Sequence, residues 1–170
     1  MGLVQWIVIA VGVVRLAELA LSRRNQARLL ARGGHEVGTG HYPLIVLLHA
    51  AWLVALFFGV PAAAAANWIL LGSFLILQCV RAWIIVSLGP YWTTRIITVP
   101  WEQLSRRGPY RWTRHPNYAL VAAEITVLPL AFGAWQIALG FSLANAVLLG
   151  WRIAIENRVL DERTGAGNSH

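Results

Sequence analysis

The sequence predicts an all-α integral membrane protein with five transmembrane helices, the last two forming a helical hairpin. Three observations lead there. Hydrophobic residues make up 58% of the 170 positions and charged residues only 12%, about half the charged share of a water-soluble domain. The apolar residues are gathered in runs close to the roughly 20 residues that cross a bilayer as a helix. The 14 basic residues are all arginine, against seven acidic ones, and most of them sit between those runs rather than within them. This composition excludes a disordered or collagen-like chain. The single cysteine, Cys79, excludes an internal disulfide framework and a cysteine-built metal cluster.

The first run covers 3–21. It is too long for a usual signal core and has no basic segment ahead of it, so a retained membrane helix is expected. Arg15 and Glu18 lie inside it at i,i+3 spacing. Residues 22–41 carry Arg23, Arg24, Arg28, Arg32 and a Gly33-Gly34 pair, and read as a basic loop that begins as a helical extension. The second run is 42–60, with Pro43 suited to a helix start. Pro61 and an alanine stretch make a turn before the third run, 67–88. Prolines at 90, 100, 109 and 116 then break any long helix over 89–117, which is expected to be a structured loop. The last apolar stretch, 118–155, is too long for one span. It suits a hairpin turning at Gly133-Ala134, with a short first arm containing Pro129. A polar tail occupies 156–170.

Arginine placement sets the orientation. With loop 22–41 in the cytoplasm, segment 89–117 and the tail return to the same side, and the uncharged 61–66 turn lies outside. Five spans satisfy this pattern, with four as the alternative. The expected organisation is one domain. Residues 1–88 supply three N-terminal membrane helices, and 89–170 supply a loop, the hairpin and the tail. The expected location is the plasma membrane, multi-pass. Two related halves, which a repeat-built transporter would show, are not apparent.

Polar groups within apolar runs should face protein, a cavity or the membrane surface. Here they are His49, Arg81, Glu124, Asn145 and Arg152. His49 is expected to be packed and hydrogen-bonded, and Asn145 to join helices. Arg81 either snorkels or clamps an anionic ligand group. Arg152 and Glu156 share a helix face at i,i+4. A hairpin returns its ends to one side, so Glu156 should approach 115–118. Scattered histidines and sparse carboxylates predict no metal site. Walker, Rossmann and nucleophile-elbow signatures are absent. The arginines suit lipid phosphates better than nucleic acid, so no nucleic-acid partner is expected.

The segment Gly108-Pro-Tyr-Arg-Trp-Thr-Arg-His-Pro-Asn-Tyr118, followed by the hairpin and by Arg152-Ile-Ala-Ile-Glu156, resembles the isoprenylcysteine carboxyl methyltransferase family. Two further stretches resemble a bacterial branch of it that includes alkylpyrone and alkylresorcinol O-methyltransferases: Leu88-Gly-Pro-Tyr-Trp-Thr-Thr-Arg-Ile96, and Glu124 followed by Leu128-Pro-Leu-Ala-Phe-Gly133. The resemblance covers roughly residues 81–162. It departs in one place: members commonly carry two acidic residues after the last helix, and this chain has Glu156-Asn157.

The resemblance implies an S-adenosylmethionine-dependent O-methyltransferase, with its site facing the cytoplasm and a lipophilic acceptor arriving from the bilayer. That acceptor is either a prenylcysteine-like carboxylate or an alkylpyrone- or alkylresorcinol-like hydroxyl. The implied cofactor-binding residues are Tyr110, Arg111, Trp112, Arg114, His115, Pro116, Tyr118, Arg152 and Glu156. His115 and Glu124 are the candidate catalytic residues. His115 serves either as general base for a hydroxyl acceptor or as a cofactor hydrogen-bond partner, and Glu124 orients His115 or a substrate hydroxyl. Arg111 or Arg114 would pair with the cofactor carboxylate. The rings would meet adenine or the sulfonium. A non-enzymatic membrane subunit or lipid-binding scaffold is the alternative that composition alone supports.

Overall fold

The computed structural model describes residues 1–37, 42–99, 108–113 and 115–167; along 155–167 it describes the helix course but not the side chains. Helix α1 runs Leu3–Ala31, α2 Tyr42–Gly59, α3 Trp68–Leu88, α4 Pro116–Ala131 and α5 Trp135–Gly167. Two three-residue strands, β1 (His35–Val37) and β2 (Ile96–Thr98), pair antiparallel with Glu36 opposite Ile97. Single 3₁₀ turns occupy Gly89–Tyr91 and Gly108–Arg111.

The helices form where the apolar runs predict them, because a chain in hydrocarbon must satisfy its backbone polar groups internally. Among the described residues, four helices are long and apolar enough to cross a membrane: Leu3–Ala31, Tyr42–Gly59, Trp68–Tyr91 and Trp135–Ala154. Helix α4 is not, which corrects the expected count of five. Its 16 residues rise only about 24 Å, against a hydrocarbon core of about 30 Å. What holds α4 in place is burial: Leu120, Val121, Glu124, Ile125, Leu128 and Ala131 are all buried.

The helical extension expected after residue 21 runs through Ala31, because Ser22, Asn25 and Leu29 continue the buried stripe of α1. Two further expectations change. Segment 89–117 contributes a strand to a small ribbon rather than only loop. The tail continues α5 as far as Gly167.

The helix ends sort into two groups. At one end, Gln5 Nε2 donates to the carbonyls of Phe57 and Val60, at 3.2 and 3.0 Å. There too the Asn67 amide donates to Ala131 O at 2.8 Å. This end therefore holds the N-terminus, the 61–67 turn and the α4–α5 turn. That last turn forms as expected at Gly133, whose φ of +71° favours glycine. At the other end lie the α1 extension, the β-ribbon, the 108–113 segment and the start of α4. The arginine-rich segments thus share one end, as the positive-inside pattern requires.

Between the ends, Val4, Val8 and Val11 of α1 pack with Trp52 and Leu56 of α2, Phe74 of α3, and Val121, Ile125 and Leu128 of α4. A second cluster, Ile84, Trp92 and Leu120 with Tyr110 against it, underlies the arginine-rich end. Large apolar side chains such as Phe58, Ile69, Val86 and Val147 are exposed on the outside, the face that lipid covers.

Candidate functional site

The arginine-rich end is assembled from three stretches distant in sequence. His115 caps α4, and Pro116 follows at the first helical position, where a missing N–H costs nothing. Tyr118 lies one turn on. Its ring stacks on His115 at 5.2 Å between centroids and 12° between planes. Helix α5 returns alongside α4 and brings Arg152 to the same place. Arg152 is buried; its Nε donates to the Tyr118 hydroxyl at 2.7 Å and its Nη2 to the carbonyl of Thr94 at 2.8 Å. Its guanidinium also lies 5.2 Å from the Tyr118 ring centroid. Both hydrogen-bond acceptors are neutral, so these bonds hold the arginine still without cancelling its charge. Helix α5 then continues through position 156, one turn further at the same end.

The 108–113 segment lies beside this group. Gly108 has φ +55°, and a Cβ there would meet Ser87 Oγ at 2.1 Å. Only glycine allows the chain this close to α3 in this conformation. Pro109 is buried behind it. Tyr110 packs on the Ile84–Trp92–Leu120 cluster. Arg111 lies 4.1 Å over the ring of Trp112, which meets Trp83 edge-on at 5.9 Å.

The structure therefore brings His115, Pro116, Tyr118 and Arg152 together, with Tyr110, Arg111 and Trp112 on the adjoining turn. Arg114 and the side chain of Glu156 lie outside the described residues. Glu124 is not brought to His115. It sits nine residues along α4, about 13 Å, and its carboxylate is taken up by other groups. Arg81 meets both oxygens, with Nε 2.9 Å from Oε1 and Nη2 bonded to Oε2. Gln78 donates to Oε1 at 2.8 Å, and Arg15 approaches both oxygens at 3.3 Å. Arg15 in turn bonds Glu18 at 2.6 Å, and Arg81 approaches Glu18 at 3.5 Å. Two arginines and two glutamates thus form a neutral knot joining α1, α3 and α4. Arg81, expected either to snorkel or to clamp an anionic ligand group, instead pairs with the protein's own Glu124 and Glu18. His49, on α2, donates from Nδ1 to Ile45 O at 2.8 Å, the packed role expected of it.

Reasoning from the sequence missed the groups that hold this end together. The Thr94 amide donates to Ser22 Oγ at 2.8 Å, and its hydroxyl lies 3.2 Å from the Tyr42 hydroxyl. Asn25 Nδ2 donates to the carbonyls of Gly89 and Trp92, at 3.1 and 2.9 Å. Arg95 stacks 4.3 Å over Tyr42 and pairs with Glu36 at 2.7 Å. One signal was present: Ser22, Asn25 and Leu29 follow helical spacing through a segment read as loop.

Comparison with known proteins reinforces this picture. The sequence model of the isoprenylcysteine carboxyl methyltransferase (ICMT) family matches residues 68–162. The uncharacterized protein YpbQ of Bacillus subtilis (strain 168) is 38% identical over 162 residues, covering 92% of this chain and 96% of that protein. An uncharacterized protein of Haemophilus influenzae is 25% identical over 111 residues, 63% of this chain and 64% of its own length. No solved structure matches significantly.

Proposed function

The chain belongs to the isoprenylcysteine carboxyl methyltransferase family, and from that premise we propose that it methylates an oxygen of a lipophilic acceptor, with S-adenosylmethionine as donor, at the cytoplasmic face of the plasma membrane. Its apolar helices and its family make it a multi-pass membrane protein of methyltransferase type. One observation carries the finer reading: buried Arg152 bonded to Tyr118, with His115 stacked on that same ring.

The residues fit such a donor. It carries an electrophilic methyl group on a sulfonium, beside an amino acid, a ribose and an adenine. A buried arginine held by neutral oxygens offers its charge to the carboxylate, and so do Arg111 and Arg114 from the loop. The rings of Tyr110, Trp112 and Tyr118 offer faces to adenine and to the positive sulfur. Glu156 accepts from the amine or the ribose. Pro116 and Pro109 stiffen the loop, which lowers the ordering cost of binding.

Transfer forms a bond from the acceptor oxygen to the methyl carbon and breaks the carbon–sulfur bond, whose electron pair stays on sulfur. Alignment is the protein's main contribution, and in ideal systems it is worth about 7–11 kcal/mol. A carboxylate acceptor has no proton to lose. A phenol or enol does, and His115 takes it. Glu124, committed to the knot, contributes by fixing α4. The acceptor's tail remains in the bilayer and only its head enters the site, since each CH₂ kept from water is worth about 0.8 kcal/mol.

The test is calorimetry of S-adenosylmethionine binding to the detergent-purified protein, followed by labelled-methyl transfer to an alkylresorcinol and to a prenylcysteine. The wild type is expected to bind saturably and to label one of the two lipids. No binding at millimolar cofactor rejects the enzyme reading and favours a scaffold.

A further inference from the structure

We infer that Ser22 on α1, outside the stretch matched by the family, is a positioning residue for the methyl-transfer site and acts on Arg152 through Thr94. The inference rests on the function proposed above and extends the site to a part of the chain with no assigned role.

The geometry forms a relay of single contacts. Arg152 Nη2 is held by the Thr94 carbonyl at 2.8 Å. Thr94 belongs to a short segment between a 3₁₀ turn and a three-residue strand, so little secondary structure fixes it. Side chains from the N-terminal helices fix it instead. Ser22 Oγ accepts from the Thr94 amide at 2.8 Å and lies 2.8 Å from its hydroxyl. The Tyr42 hydroxyl takes up the Thr94 hydroxyl at 3.2 Å. Three residues beyond Ser22, Asn25 ties down the same segment at the carbonyls of Gly89 and Trp92. Ser22 is 1% exposed and Asn25 2%, so water does not replace a bond lost there. In an apolar stripe these polar residues carry a desolvation cost. Aliphatic residues would serve helix packing alone; the hydroxyl and the amide are needed to hold a backbone that offers unpaired donors and acceptors.

Thr94 thus transmits a constraint from α1 to the guanidinium on α5. Displacement of its peptide by a few tenths of an ångström moves the acceptor that sets Arg152, and bidentate arginine recognition is sensitive to such shifts.

A double-mutant cycle tests this, read by calorimetric S-adenosylmethionine binding to the full chain in detergent. Ser22→Ala removes one oxygen and is expected to weaken binding about tenfold. Tyr42→Phe, which removes only the hydroxyl contact with Thr94, is expected to weaken it about threefold and serves if Ser22→Ala does not fold. Ser22→Ala is then combined with Arg152→Lys, which keeps the charge and loses the fork. In that background Ser22→Ala is expected to cost less than about twofold, the non-additivity of residues in one network. Equal loss in both backgrounds, or normal binding by both Ser22→Ala and Tyr42→Phe, overturns the relay and leaves the proposed function standing. Unaltered binding by both Arg152→Lys and Arg152→Ala removes Arg152 from the site and overturns the relay alone; no binding by the wild type defeats the proposed function and the relay with it.

Discussion

The arginines midway along the helices and those at the helix ends meet different partners, and the difference separates architecture from chemistry. Midway, Arg15 and Arg81 are matched by Glu18 and Glu124, and Gln78 supplies a further donor to Glu124. The knot is neutral, and Arg81 and Glu124 are only 8% and 5% exposed at their side chains. Charges in hydrocarbon survive only when paired and hydrogen-bonded, and this group meets that condition from its own members. At the ends, among the described residues, Arg152 is held by a phenol and a peptide carbonyl and Arg111 lies over an aromatic ring, whereas Arg95, stacked on Tyr42, is also paired with Glu36. Neutral partners fix an arginine and leave its charge available to a ligand. The same residue type therefore closes a fold in one place and equips a site in the other.

The strongest way to break this comparison is at the knot. Glu124→Ala leaves two arginines sharing the one carboxylate of Glu18 in an apolar interior, and is expected to destabilise the protein by about 3–5 kcal/mol, read as a fall in thermal stability in detergent. If stability is unchanged and only catalysis falls, Glu124 is a catalytic group after all. Gly108→Ala comes next. Its Cβ would enter Ser87, and the φ of +55° alone makes a side chain unfavourable by about 1 kcal/mol. The expected result is a loosened 108–113 segment with cofactor binding reduced by about tenfold.

His115→Ala sharpens the contrast from the other side. It removes the ring stacked on Tyr118 and should lower cofactor affinity or turnover by about tenfold or more, with thermal stability within about 0.5 kcal/mol of wild type. The smallest effect is expected for Glu36→Gln. Its pair with Arg95 is partly exposed, at 17% and 33%, and such pairs contribute about 0–1 kcal/mol. A loss well beyond that would mean that the ribbon is part of the site.

The sequence made some of this legible and hid the rest, for identifiable reasons. The Gly133 turn was readable because one residue type fits its backbone. Pro116 was read only as a helix breaker within the 89–117 loop, whereas it opens α4 two residues before the expected apolar stretch. The α1 extension was expected, but its length was obscured because four arginines mask an underlying stripe of Ser22, Asn25 and Leu29. The β-ribbon was obscured because three-residue strands carry too little pattern to recognise. Helix α4 was counted as a span because hydropathy does not distinguish lipid from protein as an apolar surrounding, and α4 is surrounded largely by protein. The His115–Tyr118 spacing announced a site, but its third member, Arg152, lies 34 residues beyond Tyr118.

Amino-acid order alone decided that this is a protein of apolar helices suited to a bilayer, which end gathers the arginines and which family it resembles. Each of these follows from transfer energies and backbone preferences that act within a turn or two of helix. Only the packed helices decided which charges neutralise one another and which stay available. Arg15 meets Glu124 across 109 residues, and Ser22 meets Thr94 across 72. Such pairings depend on the rotation and depth of whole helices against each other, and those are settled by many weak contacts acting at once.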